Sequence, residues 1–115
     1  MEDAKTLLEK NSYPSANNRA YYALEKTCNA LLASAKIPSK SHKGVIIQFN
    51  QYFVSNEDTP FDSEDYKIIA RAETIRSKSD YDDFYIANKE ETKLLINNAE
   101  IFIKKTEDYL KNNEL

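Results

Sequence analysis

Seven side chains in this sequence have the chemistry to hold an anion or move a proton: Arg19, Tyr21, Tyr22, His42, Arg76, Asp80 and Tyr81. A guanidinium grips phosphate through paired N–H donors. A tyrosine stacks on a base or hydrogen-bonds through its phenol, and a carboxylate beside an arginine completes an ion pair. Two readings of the set stand side by side. In one, the charges and tyrosines form a structural network that fixes helix register; in the other, they line a cleft in which the arginines bind phosphate and the tyrosines hold a nucleotide. A charge turned toward a core must be paired or face a cleft, because isolation there is costly. His42 follows Ser41, a reasonable N-cap, and is more simply an exposed residue at a helix start than a catalytic base, although a helix N-terminus can accept an anion.

Other chemistries recede. With one His, one Cys and one Gly, the sequence has neither metal-ligand spacing nor a glycine-rich phosphate loop. A Ser, His and acid triad could be assembled only by arbitrary choice. No catalytic residue, metal or cofactor is therefore assigned.

The elements that must position the polar set are helices. One Gly and three Pro in 115 residues argue against a fold rich in tight turns, and Ala, Leu, Lys, Glu and Asn suit helices with short connections. The length fits a single domain spanning residues 1–115. A short first helix over residues 2–11 turns Ala4, Leu7 and Leu8 to one side and must dock to be stable. Pro14 opens a central helix that runs to about Lys36. Along it, Ala16, Ala20, Ala23, Thr27, Ala30 and Ser34 form a stripe of small residues, and Tyr21, Leu24, Cys28, Leu31 and Ala35 a bulkier one. Together they are wide enough for a helix buried on about half its circumference. Arg19 falls just outside that arc.

A third helix, capped by Ser41, turns Val45, Ile46, Phe49, Tyr52 and Phe53 inward, and residues 55–62 form a polar loop. A fourth, capped by Asp62 or Ser63, directs Tyr66, Ile69 and Ala72 inward, with Ile68 and Ile75 as further candidates, and its register carries Arg76 and Asp80 toward the core. Arg19 is expected to converge with Arg76 on Asp80. Asn88 and Glu91 resemble a capping box for the last helix, whose buried stripe is Leu95, Ile96, Ala99, Phe102, Ile103, Thr106, Tyr109 and Leu110. Glu100 with Lys104 and Glu107 with Lys111 are expected pairs on its solvated face. The whole is expected to be an all-α, antiparallel four-helix bundle with a short accessory N-terminal helix.

Sixteen basic against nineteen acidic residues leave a net charge of −3, so no global attraction to nucleic acid is encoded. Cys28, on the buried face and without a partner, fits a reducing compartment. No apolar run approaches the ~20 residues that span a bilayer, and the acidic start is unlike a signal peptide. A cytoplasmic protein that does not enter the membrane is expected.

Residues 15–23 (Ser-Ala-Asn-Asn-Arg-Ala-Tyr-Tyr-Ala), Ala30-Leu31-Leu32, Ser41-His42-Lys43-Gly44-Val45, Phe49, Phe53, Arg76 with Asp80-Tyr81, and Ala99 with Phe102 together resemble the HEPN domain family (higher eukaryotes and prokaryotes nucleotide-binding) over nearly the whole chain. The resemblance implies a helical bundle that commonly homodimerises and is often paired with a minimal nucleotidyltransferase in toxin–antitoxin or nucleotide-binding modules. It points to Arg19, Tyr22, His42, Arg76, Asp80 and Tyr81 as ligand-binding residues for a nucleotide or RNA. Some branches are metal-independent ribonucleases with an Arg followed, after four to six residues, by His; here Tyr81 stands where that His would be. A phenol, with an ordinary pKa near ~10, is a poor general base at neutral pH. The expectation is a non-catalytic binding module, with a ribonuclease toxin and a purely structural interaction module as alternatives. The family's first helix is usually longer; either this branch has a shortened one, which leaves apolar surface for a partner to cover, or the chain is trimmed.

Overall fold

The computed structural model describes residues 1–39, 42–82 and 84–113, apart from the side chains of residues 42 and 43. The protein is all-α, and no strand occurs among the described residues. Its helices are α1 (Glu2–Glu9), α2 (Tyr13–Ser34), α3 (His42–Phe49), α4 (Ser63–Tyr81) and α5 (Lys89–Asn112), with a π-helical segment, Asn50–Val54, continuing α3. The expected cap at Ser41 lies outside the described residues.

Local chemistry sets the helix ends. Both α1 and α2 finish with a residue in the left-handed region, Asn11 at φ 61° and Lys36 at φ 59°. Beyond each, a backbone N–H reaches back to a carbonyl of the closing turn: Ser12 donates to Leu7 at 2.8 Å and Ile37 to Leu32 at 2.9 Å. This is the closing geometry glycine usually supplies, made here without one. Pro14 lies in the first turn of α2, where its missing N–H costs nothing. Asp62 caps α4 by accepting from the backbone of Glu64 and Asp65, and the Asp65 carboxylate accepts from the Asp62 N–H in return. Asn88 caps α5 by accepting from the Glu91 N–H at 2.8 Å. The Glu91 side chain instead accepts from the Tyr85 hydroxyl, which ties down the α4–α5 connection.

Cross-links fix the directions. Asn17 meets Ser79 and Tyr22 meets Arg76, so α2 and α4 are antiparallel. Asp65 meets Lys105 and Arg71 meets Glu91, so α4 and α5 are antiparallel as well. It follows that α2 and α5 run side by side in one direction. Between them, α2 buries Ala16, Ala20, Tyr21, Leu24, Cys28, Leu31 and Leu32, and α5 buries Leu95, Ile96, Ala99 and Phe102. The small-residue stripe is buried only in its first half: Ala23 is half-buried and Ala30 exposed. Thr27 and Ser34 return their hydroxyls to the carbonyls of Ala23 and Leu31.

An aromatic cluster closes one end of the core. Phe49 packs edge-on against Phe61 and Phe102, each at 5.5 Å between ring centroids, and Tyr109 lies edge-on to Phe61 at 5.3 Å. Such edge-to-face pairs add to the burial energy of the rings. Two sequence expectations are corrected here. Tyr52 is exposed rather than inward, because the π segment, closed by Ser55 N–H to Asn50 O at 3.1 Å, holds more residues per turn and rotates Tyr52 out while Phe53 stays in. Phe61, within the expected polar loop, is buried. The expected Glu100–Lys104 pair is also exchanged: Glu100 binds Lys5 of α1 at 2.9 Å, and Lys104 binds Asp108 at 3.1 Å. Docking α1 therefore uses a carboxylate that would otherwise serve α5.

Candidate functional site

A polar seam joins the start of α2 to the end of α4. The four residues on its α2 side, Asn17, Asn18, Tyr21 and Tyr22, fall on two adjacent faces because residues four apart share a face. Three residues of α4, Arg76, Ser79 and Asp80, face them. The Arg76 guanidinium lies 5.4 Å from the Tyr21 ring centroid and 5.7 Å from that of Tyr22, and the two rings meet edge-on at 5.7 Å. Its Nη2 donates to the Tyr22 hydroxyl at 3.3 Å. Its Nε lies 3.5 Å from Asp80 Oδ2, a contact of opposite charges without the angle of a directed hydrogen bond. Asp80 Oδ1 accepts from Asn18 Nδ2 at 2.9 Å, and Ser79 Oγ accepts from Asn17 Nδ2 at 3.2 Å.

The electrostatics follow from these contacts. The hydrogen bond to Tyr22, with the nearby Asp80 charge, holds the Arg76 guanidinium above its already high ordinary pKa, so it is cationic throughout the accessible range. Burial and the charges of Glu25 and Glu73 push the Tyr21 phenol up to about 12; this ring is a neutral platform rather than a proton donor. Asp80 is in the last turn of α4, where the helix dipole disfavours a negative charge. Arg76 and Asn18 offset that cost. Burial pushes the Cys28 thiol to about 12 as well, which makes it an unreactive core residue.

The structure brings Tyr22, Arg76 and Asp80 together and leaves Arg19 and Tyr81 outside those contacts. Arg19 does not converge on Asp80, because it points away from α4; Asn18, one residue earlier, takes that place. Arg19 is exposed and lines two grooves beside Tyr22. Tyr81 ends α4 with 75 % of its surface exposed. The side chain of His42 lies outside the described residues. Asn17 and Asn18 were not singled out from the sequence. The available signal was an amide at position 17 between Ala16 and Ala20, which places a polar side chain in the buried arc, where it is indeed fully buried. Arg76 and Asp80, expected to point into the core, are only partly covered, with side chains 18 % and 27 % exposed. The seam is thus neither a closed core nor an empty cleft. Among the described residues no group of three or more His, Cys, Asp or Glu could hold a metal, and no helix is long and apolar enough to cross a membrane.

A helical bundle with an arginine, a carboxylate and two tyrosines gathered at the contact of its first long helix with α4 defines the class. The HEPN domain model matches residues 1–109, and the chain belongs to the HEPN domain family. It is 32 % identical over 110 residues to the protein named “Putative toxin MJ0142” of Methanocaldococcus jannaschii, covering 96 % of this chain and 74 % of that one. Identity to “Putative toxin MJ0605” of the same organism is 38 % over 109 residues, 94 % of this chain and 78 % of the relative. A UPF0332 protein of Thermotoga maritima is 34 % identical over 103 residues, 90 % of this chain and 76 % of the relative.

Proposed function

We propose that this chain is the toxin-side component of a toxin–antitoxin pair and that it acts on RNA as a metal-independent ribonuclease. The reading is supported by the relatives named as toxins together with one observation, a permanently charged guanidinium braced by two tyrosine rings beside a carboxylate at a partly open seam. In cleavage of this kind the ribose 2′-oxygen bonds to the adjacent phosphorus as the 5′-oxygen leaves; the hydroxyl proton passes to a base and the leaving oxygen takes one up. Arg76 offsets the charge that builds on the phosphoryl oxygens. In this reading Asp80 takes up the hydroxyl proton, and Tyr81, exposed one residue further along α4, gives one to the leaving oxygen.

A second reading is favoured by Tyr81 standing where ribonuclease members carry histidine. In it the chain is a non-catalytic, cytoplasmic homodimer that binds a nucleotide and a minimal nucleotidyltransferase, with Phe84 and Ile86, both highly exposed, offering apolar contact surface. Incubation of short RNAs with the purified protein, alongside induced expression in a bacterial host, separates the two. Cleavage and growth arrest that Arg76→Ala abolishes support the ribonuclease. Intact RNA at micromolar protein, with stable capture of a nucleotidyltransferase, supports the second.

A further inference from the structure

Arg19 and Lys26 are not explained by the Arg76–Asp80 seam. Both are exposed on α2, and neither has an ion-pair or hydrogen-bond partner among the described residues. They line one groove of ≈ 310 Å³ between α1 and α2, together with Ala4, Tyr22 and Ala23. A second groove of ≈ 240 Å³, lined by Ser15, Asn18, Arg19 and Tyr22, adjoins it. Tyr22 and Arg19 belong to both, so they form the ridge between two concavities, and Arg76 lines neither.

Tyr22 is the one aromatic residue on this ridge, and it is held from behind. Its hydroxyl accepts from Arg76 and its ring packs edge-on to Tyr21, yet 41 % of its surface is exposed. A ring fixed on one side and open on the other is a stacking surface with little rotamer freedom left to lose. Arg19 and Lys26 flank it along the helix, seven residues and so ~10 Å apart at ~1.5 Å per residue. Two exposed cations with a fixed ring between them match a base flanked by phosphates. Aliphatic Ala4 and Ala23 leave room for a sugar, and Asp3, which also lines this groove, opposes excess negative charge.

We propose that Arg19, Tyr22 and Lys26 form a nucleotide-binding subsite for single-stranded RNA, in which a base stacks on Tyr22 and the flanking phosphates lie on the two cations. The subsite rests on the RNA reading above and extends it, holding the strand next to the seam rather than at the reacting bond. Duplex RNA, whose bases are not free to stack on a side chain, is excluded.

The test is fluorescence anisotropy of a labelled single-stranded oligoribonucleotide across a salt series. Each of Arg19→Ala and Lys26→Ala is expected to flatten the slope of log K against log salt by ~0.7, the value for one phosphate contact on a single strand. Tyr22→Leu is expected to lose ~5- to 150-fold in affinity, the range of one base–aromatic stack. Tyr22→Phe, which keeps the ring, and Arg19→Lys, which keeps the charge, retain most of the binding, and Asp3→Asn strengthens it. An unchanged salt slope in both cation variants, affinity for duplex equal to that for single strands, or no binding by the wild type overturns the subsite. Cleavage that persists with an unchanged slope overturns the subsite alone; an altered slope without any cleavage leaves the subsite standing and overturns the ribonuclease.

Discussion

Replacing Arg76 removes four interactions at once, and their sizes can be set against one another. The ion pair with Asp80 joins side chains 18 % and 27 % exposed at 3.5 Å, and within one helix such a pair contributes ~0.3–1 kcal/mol. The hydrogen bond to Tyr22 adds ~0.5–1.5 kcal/mol, and each of the two ring contacts ~0.5–1 kcal/mol. Because the rings and the hydroxyl share one guanidinium the terms do not simply add, and Arg76→Ala is expected to cost ~2–3 kcal/mol. Asp80→Asn removes only the charge while retaining an acceptor for Asn18, and should cost ~0.5–1 kcal/mol. Urea unfolding of the two single variants and the double variant gives the coupling directly, with an expected value of ~0.5–1 kcal/mol. Zero coupling would show that the two charges do not meet in solution. An Arg76→Ala cost below ~0.5 kcal/mol would show that the guanidinium is not braced between the tyrosines, and the case for a preorganised cation at the seam would fail with it.

Phe49, fully buried and in contact with Phe53, Phe61 and Phe102, should cost ~3–5 kcal/mol when changed to Ala, read as a loss of ~4 °C or more in Tm per kcal/mol. Lys36→Gly relieves a left-handed backbone position that the end of α2 requires, so calorimetry should show a gain of up to ~1 kcal/mol. The Tyr21 and Tyr85 phenols are pushed up to about 12 in the folded chain, above the ~10 of an unfolded tyrosine. Their folded pKa is raised, so the unfolded state loses its protons first: stability is intact below pH ~10 and is lost as pH rises toward 12. A spectrophotometric titration should show these phenolates forming late, together with falling resistance to urea across that window.

How much of this was legible in the sequence depended on whether neighbours in the chain or neighbours in space decided the outcome. The α2 face built on Ala16, Ala20, Leu24, Cys28 and Leu31 followed from spacing alone, as did the Asp62 and Asn88 caps, since both are local. Tyr52 was misplaced because a π segment changes the angular step per residue, and no composition signal in Asn50–Val54 announces one. Phe61 was hidden in a polar stretch; only the aromatic cluster from α3 and α5 gives it somewhere to go. At the candidate site, the register of α4 correctly paired Arg76 with Asp80 because they are four residues apart on one helix. Arg19 was misdirected because the choice between positions 18 and 19 depends on the rotation of α2 against α4, which is fixed by packing across the whole interface.

That rotation is also what divides the labour within α2. One strip of the helix is core, a second meets α4 through Asn17, Asn18 and Tyr21, and a third carries Arg19 and Lys26 in the open. Tyr22 alone belongs to both the second and the third, bonded to Arg76 at its hydroxyl and exposed along its ring. A strand seated on the ring therefore lies against the same side chain that braces the guanidinium, and any shift of Tyr22 on binding is felt at Arg76 through their hydrogen bond and ring contact. Coupling by so short a route needs no rearrangement of the bundle. It requires only that Tyr22→Phe, which cuts the bond but keeps the stack, impair events at Arg76 more than it impairs binding.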